Sequence, residues 1–145
     1  MFPCPRCGHC SDADDDLPPA ALYHPWNIRN RAALFDYVSS LSEEAHEWLL
    51  AFYVDTQLNL LATETVAKGG LDSAPVNFGA ILCRGRSLGA AGFLLVHNHP
   101  SGDPTPSRAD IALTQRLRWI SAELEMPLLD HFVVAGGEMM QVGNW

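Results

Sequence analysis

The sequence predicts an α/β (α+β) sandwich in which helices flank a mixed β-sheet. Three observations carry this. Apolar runs of strand length, such as residues 48–55 and 91–96, alternate with segments of helical period, such as residues 29–40 and the stretch after Pro106. The order read from them is helix, two strands, helix, strand, helix, then two strands. The 145 residues, 48% apolar and 18% charged, suffice for one domain with its own core.

Each element has its own warrant. Residues 1–20 are rich in Pro, Cys and Asp and lack periodicity, so they read as a flexible tail, with residues 21–145 as the domain. Cys4, Cys7 and Cys10, with His9 or His24, could supply the four ligands of a structural zinc, but no second Cys-x2-Cys follows. The alternative is a tail with exposed thiols. Residues 29–40 place Ala33, Leu34, Tyr37 and Val38 on one helical face. Residues 48–55 and 58–66 read as paired strands joined through Thr56 and Gln57, with Trp48, Phe52 and Tyr53 as core. The Gly69-Gly70 loop, residues 68–75, is a candidate substrate-facing segment. Asn77 caps a helix over residues 78–88 that holds Phe78, Ile81, Leu82 and Leu88 inward, with Cys83 as packing. Residues 128–135 and 139–142 are the last strands, turned by Gly136-Gly137, and His131 is expected to be structural, with a contact behind the candidate ligands as the alternative.

The chemistry concentrates in His97-Asn-His-Pro-Ser-Gly-Asp-Pro-Thr-Pro-Ser-Arg-Ala-Asp110. His97 and His99 end an apolar strand, and alternation puts both imidazoles on one face. A Pro/Gly turn follows, then a helix with Thr105 as N-cap, Pro106 as first residue and the apolar stripe Leu113, Leu117, Ile120 and Leu124. Counting back in threes from Leu113 gives Asp110 and Ser107, so Asp110 faces inward, where a carboxylate needs a partner or a cation. Two histidines and one carboxylate leave a position for water on zinc, whose pKa the metal lowers to about 7. Ser107 could donate to a developing oxyanion. Each residue also has a plainer use: Ser107 and Asp110 fit a capping box, and the Pro/Gly run fits an ordinary turn.

His97-x-His99-x7-Ser107-x2-Asp110 matches the JAMM (MPN/JAB) metalloprotease signature, and HNHPSGDPTPSRAD with LLDHFVVAGGE resembles the RadC-like branch, over roughly residues 29–144. The resemblance implies the MPN/JAB, cytidine-deaminase-like fold. It implies Zn²⁺ on His97, His99 and Asp110, and a glutamate from an upstream strand as general acid/base. Glu64, just before the Gly-Gly-Leu-Asp loop, is the expected glutamate, with an exposed strand residue or a partner for Lys68 as alternatives. Ser107 is expected to steady the tetrahedral intermediate. The implied substrate is a peptide or protein, a ubiquitin-like conjugate among the candidates. The chain departs from the RadC-like pattern at residues 75–79, Pro-Val-Asn-Phe-Gly, which stand where that pattern has His-Pro-Arg-Glu.

Net charge is −8 and the nine basic residues are scattered, which argues against a nucleic-acid footprint and a DNA-repair role. A non-catalytic MPN binding or scaffold module is the other alternative. No apolar run nears the ~18–20 residues needed to span a bilayer, and no signal-peptide pattern opens the chain, so a cytoplasmic location is expected. Oligomeric state is not legible.

Overall fold

The computed structural model describes residues 30–69 and 76–143. Helix α1 (Arg31–Val38) runs into a 3₁₀ turn, Ser39–Glu43. Strands β1 (Trp48–Val54) and β2 (Leu60–Lys68) follow, then α2 (Phe78–Ser87), β3 (Gly92–Asn98), α3 (Arg108–Glu123), β4 (Leu128–Ala135) and β5 (Glu138–Gln141). The sheet order is β2-β1-β3-β4-β5. All pairs are antiparallel except β3 with β4, which α3 connects. This mixed sheet with helices is the α+β architecture that the sequence predicts.

β1 and β3 are buried along their whole length because both faces of the sheet are covered. On one face Leu34, Val38 and Leu41 of α1 and the 3₁₀ turn meet Leu50, Phe52 and Val96. On the other, Ile81 and Leu82 of α2 and Leu117 of α3 meet Leu49, Tyr53 and Leu95. At roughly 25 cal/mol per Å² of apolar area, such two-sided burial is the main stabilising contribution.

The boundaries differ from the sequence reading in informative places. The β1–β2 connection is wider than Thr56-Gln57. The Asp55 carboxylate accepts from the Gln57 and Asn59 amides, and Leu58 takes φ 65°. The N-cap of α3 is Ser107, not Thr105, because the Asp103 side chain accepts from the Thr105 amide and holds that residue in the turn. Leu124 ends α3 as an exposed C-cap instead of completing the apolar stripe. Cys83 is half-buried in α2 and disulfide-bonded, not a packing thiol. The calls on residues 1–20, on Cys4, Cys7, Cys10 and His24, and on residues 70–75 lie outside the described residues. Among the described residues no helix is long and apolar enough to cross a membrane.

Candidate metal centre

The site forms where β3 ends and α3 begins. β3 carries through Asn98, so His97 lies inside the strand, fully buried, and His99 just past its end. The chain then turns at Gly102 (φ 87°), whose N–H donates to the His99 carbonyl at 3.0 Å. The Asp103 carbonyl faces His99 Nδ1 at 2.8 Å. A carbonyl only accepts, so His99 Nδ1 donates and its Nε2 is the nitrogen that faces the site. The loop is also fixed from outside: a Cβ on Gly136, in the β4–β5 turn, would stand 2.5 Å from the Gly102 carbonyl oxygen.

The plainer reading of Ser107 and Asp110 is correct and serves the site. Ser107 Oγ accepts from the Asp110 amide at 3.1 Å, and Asp110 Oδ2 accepts from the Ser107 amide at 2.7 Å, a reciprocal capping box. That box turns the carboxylate inward. Asp110 Oδ1 lies 3.1 Å from His97 Nε2, and Oδ2 lies 3.1 Å from His99 Nε2. Burial pushes the Asp110 carboxyl up. The hydrogen bond and charge of His97, with the amide and hydroxyl of Ser107, outweigh that and hold it well below the usual carboxylate range.

The fourth group is a glutamate that sequence reasoning missed. Glu47, immediately before β1, joins His97, His99 and Asp110, with ligand atoms of all four within 4.8 Å of one another. Its Oε1 stands 3.9 Å from His97 Nε2. Asn98, the residue between the two histidines, puts it there. The Asn98 side chain accepts from the Trp48 amide at 2.7 Å and donates to the His46 carbonyl at 2.9 Å. It thus grips both peptide groups that flank Glu47, and the Glu47 carbonyl accepts from the Gly69 amide at 2.8 Å.

Glu64, the expected acid/base residue, is not brought to this cluster. It sits on β2, and Arg84 of α2 donates to its Oε1 from a buried position. A carboxylate amid apolar strand residues is met here by a helix arginine, which makes it a strand–helix tie. His97, His99, Asp110 and Ser107 are brought together as the sequence spacing predicts, and the carboxylate that joins them is Glu47, not Glu64.

Behind the ligands lies His131 of β4, fully buried. Its Nε2 is 2.8 Å from His97 Nδ1, and its Nδ1 is 2.7 Å from Thr114 Oγ1 of α3. Burial, followed by the charge of His97, holds its pKa well below the ordinary histidine value, so the ring is neutral.

The donor set fits a divalent metal. His97 Nε2, His99 Nε2 and Asp110 lie 3.0–3.1 Å apart, close to the about 3.3 Å between tetrahedral ligands whose metal bonds are ~2.0–2.1 Å. In neutral His99 the Nε2 is a lone pair, and it faces Asp110 Oδ2, another lone-pair atom. A cation between them removes that repulsion.

Fold and site together fit an α+β domain with a candidate metal site, of the kind found in metal-dependent hydrolases. Residues 28–142 match the RadC-like JAB domain family, and the chain belongs to that family, a branch of the MPN/JAB group. It is 43% identical over 109 residues to a UPF0758 protein of Methylibium petroleiphilum, covering 74% of this chain and 49% of that protein. It is 40% identical over 118 residues to a UPF0758 protein of Ectopseudomonas mendocina, covering 81% and 53%. A UPF0758 protein of Rhodobacter capsulatus is 40% identical over 106 residues, covering 72% and 50%. The chain thus spans about half the length of these curated relatives.

Proposed function

We propose that the domain is a zinc-dependent hydrolase of peptide or isopeptide bonds, with Glu47 as its general acid/base. The observation that carries this reading is the convergence of Glu47 on the His97–His99–Asp110 trio, with Glu47 set back at 3.9 Å from His97 while the trio closes to 3.0–3.1 Å. That offset suits a carboxylate that handles a water's proton better than one that completes a ligand set.

His97, His99 and Asp110 would hold the zinc, which when bound supplies Lewis acidity and an acidified water. The chain's own residues do the rest. Glu47 accepts a proton from the attacking water on a carboxylate oxygen, and the same proton passes to the leaving amine when the C–N bond breaks. Ser107 uses its oxygen to accept from the Asp110 amide and keeps its own hydroxyl proton to donate. It would give that hydrogen bond to the oxyanion developing on the scissile carbonyl. Asn98 keeps Glu47 over the histidines by holding the peptide groups on either side of it.

The test is cleavage of peptide and isopeptide-linked libraries by the zinc-loaded chain, read by mass spectrometry, with Glu47→Gln alongside. Cleavage by the wild type and none by the variant supports the reading. A folded, zinc-loaded wild type that cleaves neither bond class overturns it in favour of a binding module.

A further inference from the structure

We propose that His131 is a positioning residue of this centre. It holds His97 in the tautomer whose Nε2 is unprotonated and ready for a cation, and Thr114 holds His131 in turn. The inference rests on the metal-site reading above, but it is tested without any substrate.

The argument starts from the one hydroxyl proton of Thr114. Its Oγ1 is 2.5 Å from the Asp110 carbonyl oxygen, an atom that only accepts. The proton is committed there. Thr114 Oγ1 therefore meets His131 Nδ1, 2.7 Å away, as an acceptor, and His131 Nδ1 carries the N–H. At the other end of the chain, His97 Nε2 faces His99 and Asp110, and on a cation it would be a bare lone pair, which leaves the ring proton on His97 Nδ1. His131 Nε2, 2.8 Å from that N–H, then accepts from it.

Hydrogen bonds thus run in one direction, from His97 through His131 and Thr114 to the backbone of Asp110. They start at one ligand and end on the main chain of another. His97, His131 and Thr114 are each 0% exposed, so bulk water does not compete for these contacts. His99 is fixed in the same tautomer by different means, through the Asp103 carbonyl of the loop. Both histidines therefore point Nε2 at the site. Partners of this kind, behind a metal ligand, commonly change metal affinity by about 10–100-fold.

Two measurements decide it. The first is the ¹⁵N–¹H histidine spectrum of zinc-loaded wild-type protein, which distinguishes protonated from bare ring nitrogens. The expected result is a proton on Nδ1 and none on Nε2 for both His97 and His131. A proton on Nε2 of either ring overturns the proposal. The second is zinc affinity by competition with a chelator. His131→Phe keeps an aromatic ring but removes the acceptor, and affinity should fall about 10–100-fold. His131→Gln restores an acceptor and should recover most of it. Thr114→Val should give a smaller loss, and the His131 ring should lose its single tautomer. Unchanged affinity in a folded His131→Phe overturns the role. If that variant does not fold, the wild-type spectrum and Thr114→Val decide. A zinc-loaded protein that cleaves no peptide would overturn the hydrolase reading alone, whereas a proton on His131 Nε2 would overturn this one alone.

Discussion

The two walls of the centre are built differently. The inner wall, His97 with His131, Thr114 and Asp110, is at most 1% exposed and belongs to β3, β4 and α3. The outer wall is Glu47, with a side chain 27% exposed, and His99, with one 15% exposed. Both sit just outside strand ends and are steered by backbone contacts: Asn98 grips the peptides beside Glu47, and the Asp103 carbonyl holds His99. The inner wall is fixed by packing and by side chains that water cannot reach. The outer wall is partly exposed to solvent and is fixed through the main chain. A site can be rigid on both sides and dry on only one.

Removing a ligand breaks the comparison altogether. His97→Ala or Asp110→Ala should abolish 1:1 zinc binding, read by elemental analysis after reconstitution. Asp110→Ala also removes the capping box and should cost a further ~1 kcal/mol of stability in the metal-free protein. Retained stoichiometric zinc in either variant would show that the trio is not the site.

The next effect falls on the outer wall alone. Glu47→Gln should lower hydrolysis by about 10²–10⁴-fold with zinc content unchanged. Glu64→Gln should leave turnover intact and lower the melting temperature modestly, since it weakens the tie to Arg84. Equal losses of activity in the two would contradict the assignment of Glu47.

Asn98→Ala should weaken both walls. It leaves the Trp48 amide and His46 carbonyl without this partner, a loss of about 1–3 kcal/mol in urea denaturation. Its loss of turnover should exceed its loss of zinc, because the grip acts on Glu47.

The smallest effect is pH-dependent and comes from the inner wall. His131 has a folded pKa well below the ordinary value of 6.5, so below that pH the unfolded chain binds a proton that the folded chain refuses. Metal-free stability should therefore fall as pH drops through 6.5, by at most about 1.4 kcal/mol per pH unit for this group. The lowered Asp110 pKa extends the same trend to lower pH, below the ordinary carboxylate value of 3.8. A melting temperature flat between pH 7 and 5 would contradict the buried neutral ring.

What was legible in the sequence follows the same division. The ligands on the inner wall obey local periodicity: alternation on β3 and threefold spacing on α3 bring His97 and Asp110 together. Glu47 obeys none. It is one of three glutamates in the short stretch 43–47, and its placement depends on Asn98, 50 residues from Trp48 along the chain. Glu64 drew attention because a carboxylate among apolar strand residues needs a reason. The reason is Arg84, at an inward position of α2 that only packing reveals. His131 looked structural because its partners, Thr114 and His97, share no spacing rule with it.

The three ligand positions fall in one contiguous segment, residues 97–110, whereas His131 comes from 34 residues beyond His97 and Glu47 from the far side of β1. Closing a short loop costs less chain entropy than closing a long one. Bringing His97, His99 and Asp110 together is therefore the cheapest closure in the cluster, and the contacts that His131 and Glu47 make with His97 are the costlier ones.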